Sequence, residues 1–197
     1  ITVQAIDEDG IWTQTKALTV EDVAPSITLG GDFTVNEGAT YTLTLGAVTD
    51  PGQDTPTSYT INWGDGNAEV VNSLGDYTHV YADGTVNRTI SVLVTDEDGA
   101  HANAGTRTVT VNNVAPIVTL GGDASVNEGA AYTLNVGAIV DPGTDTVSLY
   151  TINWGDGSAA QVLTAAELTA LGRNVTHTYA DGTSTPTITV DLMDEDG

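Results

Sequence analysis

Tyr59-Thr-Ile-Asn-Trp-Gly-Asp-Gly66 recurs unchanged at Tyr150 to Gly157, 91 residues further along the chain. Tyr59, Ile61 and Trp63 alternate with Thr60 and Asn62, the period of two that places one set of side chains in a core and the other in solvent. Gly-Asp-Gly then supplies the residues of a tight turn. A tryptophan on such a strand removes more apolar area from water than any neighbour, so Trp63 and Trp154 are the expected packing centres of two repeats.

The repetition extends well beyond the motif. Ala24 to Gly66 and Ala115 to Gly157 differ at 13 of 43 positions without a gap, the mark of a duplicated module. Ile1 to Gly10 aligns with Ile90 to Gly99 and with Ile188 to Gly197, and Leu18-Thr-Val20 aligns with Val109-Thr-Val111. Residues 1–23 therefore read as the C-terminal hairpin of a preceding repeat, 24–114 as repeat 1 and 115–197 as repeat 2 without its last strand. The chain opens in mid-strand and is expected to be part of something longer. Strands are predicted at about 26–30, 32–36, 40–46, 58–63, 67–72, 77–81, 87–95 and 104–112. Short strands between Asn-Glu-Gly, Asp-Pro-Gly and Asp-Gly turns predict an all-β chain of tandem immunoglobulin-like Greek-key β-sandwiches. Repeat 2 carries seven additional residues between Trp154 and His177, within 161–172. There Thr164, Glu167 and Gly172 are the cap and stop of a short helix.

Hydrophobic residues make up 40% of the sequence, enough for two modest cores, and there is no cysteine to staple them. Against 27 acidic residues stand 4 basic ones, a net charge of −23. Nucleic acid and membrane insertion are thereby excluded as expectations, since the first demands cations and the second a long apolar run.

Trp-Gly-Asp-Gly followed by His79-Val-Tyr81 (His177-Thr-Tyr179), an Ala-Asp-Gly turn, an Ile-x-Val-x-Val strand and an acidic hairpin resembles the PKD-domain family over both repeats. Val-Asn-Glu-Gly-Ala-x-Tyr-Thr-Leu, at 35–43 and 126–134, resembles the tandem extender repeats of large bacterial surface proteins and adhesins. The resemblance implies a string of sandwiches outside the cell, serving as a spacer or as a contact surface for protein or polysaccharide, in some cases with bound calcium.

In such a string the lower loops of one repeat meet the upper loops of the next. Between repeats 1 and 2 this gathers Glu37, Asp83, Asn112, Asn113, Asp141, Asp145, Asp194 and Asp196. At the upstream junction it gathers Glu21, Asp22, Asp50, Asp54, Asp96 and Asp98. Hard oxygen donors in that number suit Ca2+, whereas zinc would call for His or Cys. Asp65 and Asp156 read as turn formers. The expected partners are neighbouring repeats and a surface protein or polysaccharide; the missing strand of repeat 2 is expected to come either from the residues that follow in a continuous chain or, by head-to-tail self-association, from Leu18 and Val20 of another copy.

Catalysis is not expected: His79 and His177 read as buried histidines bonded to backbone, and neither a nucleophile elbow nor a phosphate loop is present. The reading is thus of a calcium-stabilised extender of an extracellular bacterial protein. Its rival is an accessory binding module of a secreted hydrolase, which would need exposed aromatics; aromatics are only 6% of the chain and most fall at inward-facing strand positions. Trp12 is the exception, expected to pack against its own hairpin, with an exposed contact residue as the alternative.

Overall fold

The computed structural model describes residues 1–196. Strands β1 (Thr2–Asp7) and β2 (Gly10–Thr15) form a hairpin of their own, with Ala5 opposite Trp12. Residues 16–25 follow without regular structure.

Repeat 1 folds as β3 (Ser26–Gly30), β4 (Thr34–Asn36), β5 (Thr40–Thr49), β6 (Ser58–Asn62), β7 (Ala68–Val71), β8 (Gly75–Val80), β9 (Val86–Thr95) and β10 (Ala100–Asn112). One sheet has the order β3-β5-β8 and the other β4-β10-β9-β6-β7. All the pairings are antiparallel except β4 with β10, where Val35 lies beside Val111. The alternation in the sequence decides the layers: Tyr41, Leu43 and Leu45 of β5 are buried while Thr40, Thr42 and Thr44 face solvent. They pack on Tyr59, Ile61, Trp63, Ile90, Val92, Val94, Val109 and Val111 from the opposite sheet. The chain changes sheets at residues 31–33, where the Arg107 guanidinium donates to the carbonyls of Leu29, Gly31 and Asp32 and stacks on the Phe33 ring. That one arginine satisfies backbone acceptors no ladder can reach.

Repeat 2 is built from β11 (Ile117–Gly121), β12 (Ala131–Val140), β13 (Leu149–Asn153), β14 (Gln161–Thr164), α1 (Ala165–Ala170), β15 (Asn174–Thr178) and β16 (Thr189–Met193). Its sheets run β11-β12-β15 and β14-β13-β16 around Leu134, Val136, Ile152, Trp154, Leu168 and Val175. Residues 161–164 form β14, which pairs with β13 as β7 pairs with β6, and the helix begins after it, at a reciprocal cap in which Glu167 N donates to Thr164 Oγ1 and Thr164 N to Glu167 Oε2. Leu168 projects from it into the core with no exposed surface, so the insertion contributes to the repeat 2 core.

Repeats 1 and 2 are joined by backbone as well as by sequence. Thr144 N and Thr144 Oγ1 both donate to Ala82 O, at 2.9 and 3.1 Å. Gly38, at φ +67, and Gly143 allow the two loops to touch: a side chain on Gly38 would meet the backbone of Pro142, and one on Gly143 would lie 2.7 Å from Glu37 Cδ.

Candidate metal centre

The lower end of repeat 1 is fixed by its turn. Glu37 N donates to Asn112 O at 3.0 Å and Gly38 N to Tyr81 O at 2.8 Å, so Asn36-Glu37-Gly38 is sewn to the ends of both sheets. The Glu37 side chain is consequently aimed at the junction, and the residue is 1% exposed. Its Oε1 accepts from Val114 N in the connection between repeats at 2.6 Å, and its Oε2 has no hydrogen-bond partner.

From repeat 2 comes the loop Asp141-Pro-Gly-Thr-Asp145. Asp141 Oδ1 accepts from Gly143 N at 2.7 Å, closing the loop, and Glu195 Oε2 accepts from Thr146 N at 2.6 Å, tying the loop to the hairpin after β16. In that hairpin Asp194 Oδ1 accepts from Asp196 N at 3.0 Å. Carboxylate oxygens of Glu37, Asp83, Asp145 and Asp196 then lie within 4.8 Å of one another, two from each repeat. Glu37 Oε2, Asn113 Oδ1, Asp141 Oδ2 and both oxygens of Asp145 are buried without a hydrogen-bond partner among the described residues. Such groups are costly to keep, about 1–3 kcal/mol each and more when charged. Burial, and after it the charges of Glu37, Asp141, Glu195 and Asp194, pushes the Asp145 carboxyl up to about 6.

At the top of repeat 1 the same loops recur with less cover. Asp22, Asp54 and Asp98 form a second cluster within 4.8 Å, at a hollow of about 550 Å³ lined also by Val20, Glu21 and Pro51. Desolvation, then repulsion from Asp50, Asp98, Glu97 and Asp22, raises the Asp54 carboxyl above its ordinary range.

The remaining expected ligands do other work. Asn112 directs its side-chain amide to Asn36 Oδ1 at 3.3 Å, and Asp50 accepts from Gly52 N at 2.6 Å. Asp96 accepts from the backbone of Asp98 and Gly99 and from His101, all at 3.0 Å. Burial opposes ionisation of Asp96, but these bonds, His101 first, hold it below the usual carboxylate range. Glu21 is exposed outside the three-carboxylate cluster. Sequence reasoning passed over Glu97 and Glu195, each of which latches its loop through Thr55 N or Thr146 N; the repeated Asp-Glu-Asp was the available signal.

The histidines correct an expectation. His79 is bonded to a carboxylate, Asp65 Oδ2 at 2.7 Å, not to backbone, and lies stacked on Trp63 with ring centroids 4.8 Å apart. His177 repeats this on Asp156 and Trp154, at 2.7 and 4.6 Å. The sequence distance from the turn to the histidine hid the pairing, because β7 intervenes between Asp65 and His79 on β8. Asp65 and Asp156 also accept from the backbone two residues on, as turn formers do. Tyr81 and Tyr179 close the motif by donating to the carbonyls of Trp63 and Trp154. Trp12, expected to pack against its own hairpin, is 60% exposed, and Phe33 is 72% exposed with Arg107 over its ring.

A comparison with curated proteins finds no match. The sequence model of the PKD domain matches twice, over residues 22–111 and 113–197. Those two spans contain the tryptophan motifs, both sandwich cores and nearly all of the loops that meet at the junction. The chain belongs to the PKD-domain family, as two such domains in tandem.

Proposed function

We propose that the chain is a non-catalytic extender whose repeats are locked end to end by calcium, as part of a larger bacterial protein acting outside the cell. The observation that carries this is the group of buried, partnerless oxygens shared by Glu37, Asn113, Asp141 and Asp145 at the junction. Neutral partners would leave the carboxylates repelling one another, whereas a divalent cation offsets two charges and takes several oxygens at once. The donors are carboxylate and amide oxygens without nitrogen or sulfur, the set that favours Ca2+ over transition metals. Glu37 and Asp83 from one repeat, with Asp145 and Asp196 from the next, would hold the ion, so binding and stiffening are one event. Stabilisation then follows from binding to the docked arrangement alone.

Calorimetric titration of the metal-free protein with calcium, together with melting and small-angle scattering in calcium and in EDTA, tests the reading. Saturable binding, a higher melting temperature and a narrower distance distribution in calcium are expected. Unchanged melting and scattering on chelation would refute it.

A further inference from the structure

The chain enters repeat 1 through β3 and β4 and leaves it on β10, so tension along the chain arrives on the first two strands and departs on the last. β3 pairs with β5 across a register shift between Ile27 and Leu29. β4 pairs with β10 itself, and in parallel: Thr34 lies beside Thr110, Val35 beside Val111 and Asn36 beside Asn112. Tension then draws β4 towards one end of the sandwich and β10 towards the other, so the two strands must slide past each other lengthwise. Sliding loads all the bonds of a pair together, whereas peeling breaks them one at a time.

The bonds of this pair continue beyond both of its ends. Thr110 N donates to Phe33 O at 2.9 Å above it; below it Glu37 N donates to Asn112 O at 3.0 Å and Asn112 Nδ2 to Asn36 Oδ1 at 3.3 Å. On the departing chain Val114 N donates to Glu37 Oε1 at 2.6 Å. Glu37 therefore belongs to two structures at once. Its backbone and Oε1 close the pairing of β4 with β10, while its Oε2, without a hydrogen-bond partner among the described residues, lies at the junction where Glu37 meets Asp83, Asp145 and Asp196.

We infer that the β4 and β10 pair is a mechanical clamp and that calcium at the junction sets the load it bears, an inference that rests on the calcium reading above. β4 cannot slide unless Glu37 moves with it. A cation held by Glu37 and Asp83 on one side and by Asp145 and Asp196 on the other fastens the lower end of β4 directly to repeat 2. Sliding must then break coordination bonds as well as backbone ones, because the ion gives the load a second path that bypasses β10. In metal-free protein the same carboxylates repel, and the Val114 bond alone secures the Glu37 side chain. The further function is load bearing: an array under tension keeps its length in calcium and yields sooner at repeat 1 when calcium is withdrawn.

Force spectroscopy of the full chain held by its two ends, in calcium and in EDTA, tests the clamp, with calorimetry on the same protein and Leu168→Ala to mark the repeat 2 event. In calcium, repeat 1 is expected to unfold about tenfold more slowly at a given load than in EDTA, the rate equivalent of one charge-assisted bond. Glu37→Gln and, from the other repeat, Asp145→Asn are each expected to remove most of that difference from repeat 1. Val35→Pro takes a donor from the middle of β4 and should speed unfolding under load in both media. Calcium binding without any change in the strength of repeat 1, a calcium effect that survives Asp145→Asn, or unchanged strength in a folded Val35→Pro variant would each overturn the clamp and leave the calcium reading standing. If calorimetry shows no calcium binding, that reading fails first and the coupling falls with it.

Discussion

Glu37 of repeat 1 and Asp145 of repeat 2 hold carboxylate oxygens within 4.8 Å of each other across the junction, and among the described residues neither Glu37 Oε2 nor either Asp145 oxygen has a hydrogen-bond partner. On the proposed calcium reading the pair repels in metal-free protein and would coordinate a bound cation, so a substitution there is expected to have opposite signs in the two states. Asp145→Asn is expected to raise the melting temperature by a few degrees in EDTA and to lower it in calcium. Calorimetry should show calcium affinity reduced at least tenfold, about 1.4 kcal/mol. A purely structural carboxylate would lose stability in both media.

Gly143→Ala tests the close approach without touching a charge. Its methyl group would sit 2.7 Å from Glu37 Cδ, so Glu37 must move. Weaker calcium binding, with melting in EDTA lowered as well because the bond from Val114 N to Glu37 Oε1 is disturbed, is the expected result, read by titration and by differential scanning calorimetry.

The pH dependence of the metal-free protein follows from Asp145, whose carboxyl titrates at about 6 when folded against 3.8 ordinarily. A raised carboxyl favours the folded state fully below 3.8 and loses that contribution as pH rises through about 6. Asp65, Asp96 and Asp156 run the other way: held below the ordinary range, they support folding above it and give that support up as pH falls through their lowered values. Melting in EDTA should therefore rise on acidification from neutral pH towards 3.8 and fall below it. With saturating calcium the first rise should shrink to the part owed to His101, which its bond to Asp96 raises above its ordinary range, since a bound ion keeps Asp145 ionised.

His79→Ala removes both the bond to Asp65 and the ring lying on Trp63. A cost of about 1–3 kcal/mol to repeat 1 is expected, visible as an earlier unfolding transition by Trp63 fluorescence in a Trp12→Phe, Trp154→Phe background. Asp65→Ala should cost as much and add little when combined with His79→Ala, because the two groups act as one unit.

Leu168→Ala empties a fully buried position in repeat 2. About 2–5 kcal/mol should be lost from that repeat, with repeat 1 unaffected. Two separated transitions in a calorimetric scan, where the parent shows closer ones, would bear this out.

The sequence by itself determined the layers and the punctuation of this protein. Alternation at Tyr59, Ile61 and Trp63, and at Tyr41, Leu43 and Leu45, states which side of a strand is wet, because side-chain direction along a strand is a local property. The Asp-Gly turns and the Thr164 to Glu167 cap are local for the same reason, and the Trp-Gly-Asp-Gly motif carried the family with them. Tertiary structure alone decided the partners. Asp65 with His79 and Glu97 with Thr55 meet across intervening strands, and Glu37 meets Asp145 across two repeats, at separations on which periodicity is silent. Expecting fourteen ligands by loop position could not tell Asp145, which lacks any other partner, from Asp96, which spends its oxygens on its own hairpin and His101. That distinction depends on where each oxygen's nearest donor lies, and only the packed fold brings donors into place.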